Sequence, residues 1–481
     1  VIPLAAWALA AVAAGPVVVA PPEGPAAPDS AWIAVAVADA LPRALIALGV
    51  PAVERDDLRE AQEKLGIPMV PVTRATAIRV AESLGASRLV TGSVADKDGR
   101  VTLSLRLLDV ERATLSSPLI GEGAITSLPD VVARLAWDVA LAGQAPPRKS
   151  REEFLAQRPP VPFEAFEAYA RGLAQSDPAV SARLLRRALG LHGAYDDARL
   201  ALGRLQVRTR EYATALETLA RIGRDSPSSK TARFMEGVAL LGLGRYAEAN
   251  DLYGGLAATQ ASASVWNNRG VALLRLGAVA PRASAVFRQA FELERGAPDI
   301  MFNVGFALLV EGEPETAAFW LRAVSGRDAQ DAHAFLVLSW ALRGAGRTGE
   351  ADEAWRQALA LQPSYEAMPR PELQRRFERR RTSPGLAHAG DDLPEDAALA
   401  RGHVARATAL LADGKVDEAF AEATRAAYLD PLDPQAHLCL ARIHRARGER
   451  DRALLSYRMS LFSREDAEVR EEMGEAAGTP P

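Results

Sequence analysis

The sequence predicts a mainly α fold: an α-helical solenoid preceded by a small α+β domain with a mixed sheet. Three observations predict it. Small residues return at Gly203, Gly237, Gly270, Gly305 and Ser339, at intervals of 34, 33, 35 and 34 residues, the length of one stacked helical hairpin. In Val101–Asp109, Val101, Leu103, Leu105 and Leu107 alternate with Thr102, Ser104 and Arg106, the period of a half-buried antiparallel strand. Elsewhere Ala, Leu and Arg are abundant, and these residues favour helix.

The 481 residues hold 57 Lys+Arg against 61 Asp+Glu, a net charge of −4, with 48% hydrophobic and 25% charged residues. Such a chain can bury an ample core. Its charge argues against a protein built for phosphate backbones or anionic membrane, so no nucleic-acid partner is expected. Cys439 is the single cysteine, which excludes an intrachain disulfide, a CxxC pair and a Cys-rich zinc site.

Val1–Ala14 is uncharged and apolar before Gly15-Pro16. It is too short to cross a bilayer, which needs about 20 residues, but it suits the apolar region of a secretory signal, with Ala11-Val12-Ala13 as a small-x-small site. Residues 1–15 are therefore read as a truncated signal-like segment, and the expected location is periplasmic or cell-envelope associated, with the cytoplasm as the alternative. No stable transmembrane span is expected.

Residues 16–144 form the α+β domain. Val17–Val19 is a short β-branched strand, and Ala31–Leu48 a helix with Ser30 as its N-cap. A second short strand near Pro51–Glu54 leads to helices over Asp57–Leu65 and Thr73–Leu84, the latter ended by Gly85. Arg88–Val94, Val101–Asp109 and Leu115–Glu122 read as strands, and helix Leu128–Ala142 closes the unit on Val131, Leu135 and Val139. The order β-α-β-α-β-β-β-α, with SLGASRLVTGSV and VTLSLRLLDVERA in its second half, resembles the amino-terminal domain of the TolB family. That resemblance implies a small envelope domain. No propeller follows it.

Residues 145–162, rich in proline and charge, read as a linker. Behind it come six repeat units over 163–365, a charged interruption over 366–399, two further units and a cap over 400–474, and a tail over 475–481. Within each unit a small residue of the first helix faces Ala215, Ala249, Ala283, Ala317 or Ala351 of the second, followed four residues later by Leu219, Tyr253, Phe287, Leu321 or Trp355. Small side chains are needed where two helices approach closely, and large ones fill the gap to the next hairpin. Gly244, Gly277, Gly312 and Gly346 supply the turns. The interruption carries Arg375, Arg376, Arg379, Arg380 and Arg381, then Asp391, Asp392, Glu395 and Asp396. It reads as a solvated helix and loop, with an anionic partner as the lesser reading.

These units resemble the tetratricopeptide repeat. The resemblance implies that first helices line a concave surface through positions two, five, nine and twelve, with six nearby, when the small site is position eight. Along that surface stand Phe234, then Asn267, Asn268 and, one place past position twelve, Arg275, then Phe302, Asn303 and Phe306, then Trp340 and Arg343. Asparagine amides can clamp an extended main chain through a paired donor and acceptor, arginine can fork onto a carboxylate, and aromatics offer apolar pockets. Asn268 and Asn303 share position six and resemble the family's peptide-gripping asparagines. The charged clamp for C-terminal acidic peptides is not reproduced. Phe302, Phe306 and Trp340 fit equally well as packing between helices.

No GxxxxGK[ST], GxGxxG after a strand, GxSxG or HExxH occurs in the sequence, so no catalytic, cofactor-binding or metal residue is nominated. His437 and His444 lie two turns apart, about 10 Å along one helix, too far to chelate one ion. The expected function is a non-catalytic interaction scaffold whose groove binds a peptide or protein partner in a bacterial-type envelope. The alternative is a regulatory or assembly subunit of an envelope secretion or signalling system, acting mainly through the α+β domain.

Overall fold

The computed structural model describes residues 15–24, 28–64, 67, 74–143, 147, 150–158, 160–259, 261–277, 281–367, 377–384 and 395–478. Residues 1–14 of the signal-like segment lie outside them. The chain divides into two units, one of Val1–Leu256 with Thr382–Leu386, the other of Ala257–Arg381 with Ala387–Pro481.

The first unit opens with strand β1 (Val17–Val19) and helices α1 (Ala31–Ala47), α2 (Arg55–Lys64) and α3 (Arg74–Ser83). Strands β2 (Arg88–Lys97), β3 (Arg100–Asp109), β4 (Thr114–Leu115) and β5 (Leu119–Ala124) follow, then helix α4 (Leu128–Ala142). The sheet is mixed: β1 runs parallel to β2, β2 antiparallel to β3, and both β4 and β5 pair antiparallel with β3. Alternation along the strands decides the layers. Val17, Val19, Val90, Val101, Leu103, Leu105 and Leu107 face α1 and α4, whereas Val18, Leu89 and Leu108 pack with Val80 and Ala81 of α3 and Leu58 of α2.

Three local expectations change. The strand near Pro51–Glu54 is a single bridge from Val17 to Ala52, because Pro51 has no N–H to extend the ladder. The strand over Leu115–Glu122 is broken into β4 and β5, since the Ser116 hydroxyl takes the Leu107 N–H at 2.9 Å and Pro118 lacks a donor. Ser30 does not cap α1; its hydroxyl donates to Asp96 at 3.1 Å.

The described part of the expected linker is not a tether. Residues Arg151–Ala156 form helix α5, and its Phe154 is buried in the core beneath α1 and α4. Helix pairs α6 (Phe163–Ala174) with α7 (Pro178–Leu191), and α8 (Asp196–Arg208) with α9 (Tyr212–Leu219), follow. After them come α10 (Ser229–Leu243) and α11 (Tyr246–Thr259). Phe166 and Ala170 of α6 enter the same core as Trp32 of α1. Tyr169 donates to Asp39 at 2.6 Å, and Arg43 ties Tyr169, Asp39 and Asp197 together. Arg204 bridges Glu54 at 2.9 Å and Asp56 at 2.6 Å.

The second unit continues the pairs with α12 (Ala263–Leu276) and α13 (Ala283–Leu293), α14 (Pro298–Val310) and α15 (Pro314–Arg327), then α16 (Ala332–Gly344) and α17 (Thr348–Leu361). Past the interruption lie α18 (Glu395–Ala412) with α19 (Val416–Leu429), α20 (Pro434–Ala446) with α21 (Arg450–Ser463), and α22 (Ala467–Ala477). The last pair returns onto α15: Trp320 donates its indole N–H to the Phe462 carbonyl at 3.3 Å, and the Phe319 ring meets His437 and Phe462.

The small sites have a steric reason. A Cβ on Gly203 would stand 2.4 Å from Leu219, on Gly237 2.5 Å from Tyr253, on Gly270 2.6 Å from Phe287 and on Gly305 2.7 Å from Leu321. In these four units the small and large positions are one contact. Gly244, Gly277, Gly312 and Gly346 all take positive φ at the turn, which costs glycine little.

Candidate functional site

Position six of α12 and α14 places Asn268 and Asn303 on adjacent first helices, with Asn267 between them; all three are fully buried. An amide buried in a helical core is costly unless its donors and acceptor are met. Here they are met largely by the main chain of the interruption, whose described part, residues 377–384, has no regular secondary structure.

Asn303 accepts the Arg379 N–H on Oδ1 at 2.8 Å and donates Nδ2 to the Arg379 carbonyl at 2.8 Å. Asn268 does the same for the next residue but one: it accepts the Arg381 N–H at 2.9 Å and donates to the Arg381 carbonyl at 2.8 Å. Asn267 adds a second donor to the Arg379 carbonyl at 2.9 Å and accepts from Asn303 at 2.8 Å. Residues two apart present N–H and C=O to the same side only when a chain is extended. The three asparagines therefore hold Arg379–Arg381 as a strand is held at a sheet edge, with side-chain amides in place of a neighbouring strand.

The side chains of the segment are read as well. Phe377 stands edge-on to Phe306 at 5.8 Å, Trp340 at 5.6 Å and His333 at 5.7 Å, the favoured geometry for ring quadrupoles. Glu378 receives the fork of Arg275, with Nε at 2.9 Å. The Arg379 guanidinium lies 4.0 Å over the Phe302 ring and pairs with Asp331. Arg381, 7% exposed, is bound by Asp299, with Nε at 2.7 Å, and by both oxygens of Glu294. Burial works against that guanidinium, yet the hydrogen bonds to Asp299 and Glu294 prevail and hold its pKa above the ordinary arginine value. Arg380 is exposed.

The solvated reading of the interruption is thus corrected for Arg379 and Arg381: acidic and aromatic side chains of the helices replace water around them. Arg375, Arg376, Asp391 and Asp392 lie outside the described residues.

Of the nine nominated residues, seven converge on this segment: Asn267, Asn268, Arg275, Phe302, Asn303, Phe306 and Trp340. Two do not. Phe234 is enclosed in the first unit against Tyr253, ring centroids 5.6 Å apart. Arg343 points outward and pairs with Asp352 at 2.6 Å, both half-exposed. The nomination missed Glu294, Asp299, Asp331 and His333. Asp299 and His333 occupy position two of their units, so the positional rule already pointed to them. Burial lowers the His333 pKa, aided by Arg379 and opposed by Asp331.

Elsewhere the side chains of chemical interest are packed. His437 meets the Pro431 carbonyl at 2.8 Å, and His444 meets Glu449 at 2.7 Å. Cys439 is buried and burial pushes its thiol pKa up. Among the described residues, no group of His, Cys, Asp and Glu is arranged to hold a metal ion, and no helix is long and apolar enough to cross a membrane.

Successive paired helices, with the same small-to-large contact at Gly203, Gly237, Gly270 and Gly305, define a helical-hairpin repeat protein. The repeat is the tetratricopeptide repeat: its family models match residues 172–235, and residues 234–281 and 404–468. Solved structures that the chain matches in part include YrrB, titled a TPR protein with an unusual peptide-binding site, at 22% identity, covering 38% of this chain and 95% of that one, with a TM-score of 0.33. MamA follows at 15% identity, covering 36% and 94%, with a TM-score of 0.30. A tetratricopeptide repeat protein from Parabacteroides merdae, at 15% identity, covers 60% of this chain and all of its own, with a TM-score of 0.31. No curated protein matches the sequence.

Proposed function

We propose that this chain is a non-catalytic scaffold whose second unit grips an extended stretch of polypeptide across α12, α14 and α16. One observation carries the reading: Asn268 and Asn303 each close a donor–acceptor pair on alternate residues of an extended main chain. Main-chain recognition of this kind gives affinity without fixing sequence, and the flanking pockets add selectivity. Tetratricopeptide repeats as binding modules for proteins and peptides support it. The test is an array of unrelated twelve-residue peptides probed with the full chain and with Asn268→Ala/Asn303→Ala. Bound peptides should be lost from the double variant; equal retention by both proteins overturns the reading.

The finer placement belongs to the same proposal. A cell-envelope location, with the α+β part anchoring or sensing in the manner of a TolB amino-terminal domain, is supported by the apolar stretch Val1–Ala14 and by the order of elements over residues 16–144. Fractionation and amino-terminal sequencing of the expressed precursor test it. Cleavage near Ala13 or Ala14 is the expected result, and an intact segment in a cytosolic fraction contradicts it.

A further inference from the structure

We infer that Phe377–Arg381 is the chain's own copy of the ligand its groove selects, so that the partner is an extended peptide carrying the pattern aromatic, acidic, arginine, any residue, arginine, and that this partner must displace the copy to bind. The inference rests on the gripping reading above and adds to it both a sequence and a competitor.

The pattern comes from the contacts one residue at a time. An aromatic ring at the first place fills the space between Phe306, Trp340 and His333. A carboxylate at the second meets the Arg275 fork, and Glu378 there is only 5% exposed along its side chain. The third place offers both a π face, Phe302, and a carboxylate, Asp331, which together suit a flat guanidinium better than a compact ammonium. The fourth side chain is exposed and unread. The fifth enters between Glu294 and Asp299, two carboxylates placed to take both edges of one guanidinium. The second unit thus sets three carboxylates, Glu294, Asp299 and Asp331, against two arginines, while Arg275 alone faces an acid. That complementarity names a basic segment with one acidic residue, and it disfavours an acidic peptide by like charge.

Self-occupancy has a measurable consequence. A ligand joined to its own site competes at an effective concentration in the millimolar range for short connections, and an external ligand sees only the fraction of grooves left open. The native chain should therefore bind an external copy weakly, and weakening the internal copy should improve that binding.

The probe is a fluorescein-labelled peptide, Gly-Ser-Phe-Glu-Arg-Arg-Arg-Ser-Gly, titrated by fluorescence anisotropy into the full chain and into Arg379→Ala/Arg381→Ala. Binding to the variant should be tighter by about tenfold or more, as the open fraction rises. Phe377→Ala, which empties the aromatic space while leaving the three ion-pair sites at Glu378, Arg379 and Arg381 filled, is the second variant and should show a gain in the same direction. On either variant, replacing the last arginine of the peptide by alanine should weaken binding by about tenfold, and replacing the middle arginine should change it by less than about twofold. Equal affinity for native chain and both variants, or equal loss from the two peptide substitutions, overturns the inference. If this peptide binds no better than a scrambled one while the array peptides still depend on Asn268 and Asn303, the selectivity fails and the gripping reading stands. If array binding ignores both asparagines, the gripping reading itself fails.

Discussion

Replacing Asn303 by alanine should release the main chain at Arg379 and expose it to protease. Three hydrogen bonds disappear: the one accepted from the Arg379 N–H, the one donated to the Arg379 carbonyl and the one donated to Asn267, each 2.8 Å long. The first two hold the segment, and at a net ~0.5–1.5 kcal/mol each they amount to about 1–3 kcal/mol of docking. The Arg379 carbonyl keeps its bond from Asn267 at 2.9 Å, so the lower half of that range applies first. At about 1.4 kcal/mol per factor of ten, the undocked population should rise roughly five- to thirty-fold. Trypsin cuts after arginine, and Arg379, Arg380 and Arg381 are three consecutive targets. Where docking and undocking are fast relative to cleavage, the nicking rate follows the undocked population. Nicking at these three bonds, timed by mass spectrometry, should therefore accelerate by about tenfold in Asn303→Ala. Arg343→Ala serves as the control: its surface pair with Asp352 lies away from the segment, and the rate should not change. Equal nicking in the native chain and Asn303→Ala would refute the reasoning.

Gly270→Ala should destabilise the second unit by about 1–3 kcal/mol, because its Cβ would stand 2.6 Å from the Phe287 ring, and an unchanged thermal midpoint contradicts the packing account. Tyr169→Phe removes the hydroxyl that donates to Asp39 at 2.6 Å and accepts from Arg43; a loss of about 1–3 kcal/mol is expected in denaturant unfolding of the full chain, and a neutral result contradicts the network. Burial, reinforced by Glu54 and only partly opposed by Arg204, pushes the Asp57 carboxyl up to about 7 from 3.8. Its folded-state pKa thus exceeds the unfolded one, so the stability it contributes is complete below about pH 4 and is lost as pH rises through 7. The thermal midpoint should fall between pH 5 and pH 8, and Asp57→Asn should shrink that fall; the same fall in the variant overturns the assignment.

The repeat was legible because its signal is steric and strictly periodic: Gly203, Gly237, Gly270 and Gly305 are each forced small by one large neighbour fixed in the sequence frame. Strands β2 and β3 were legible from alternation for a similar reason. What failed was short and decided by single hydrogen bonds, as at Pro51 and Ser116. The asparagines were legible from their shared position, and so was the chemistry of the clamp. Their occupant was not, since no local pattern says that residues more than 70 apart meet, and a run of arginines reads as solvated until its carboxylates are located. Asp299 and His333 were within reach of the positional rule; Glu294 and Asp331, outside the first helices, were not. Phe234 shows the limit of that rule, which marks a face without saying whether a neighbouring ring already covers it.

Residue-resolved amide hydrogen exchange over Glu378–Thr382 in the full chain tests the central claim most directly. The N–H groups of Arg379 and Arg381 are donated to Asn303 and Asn268, so these two amides should exchange slowly while that of Arg380 between them exchanges fast. Asn303→Ala should free the Arg379 amide first and Asn268→Ala the Arg381 amide first. Three amides exchanging alike at unprotected rates in the native chain would contradict the account.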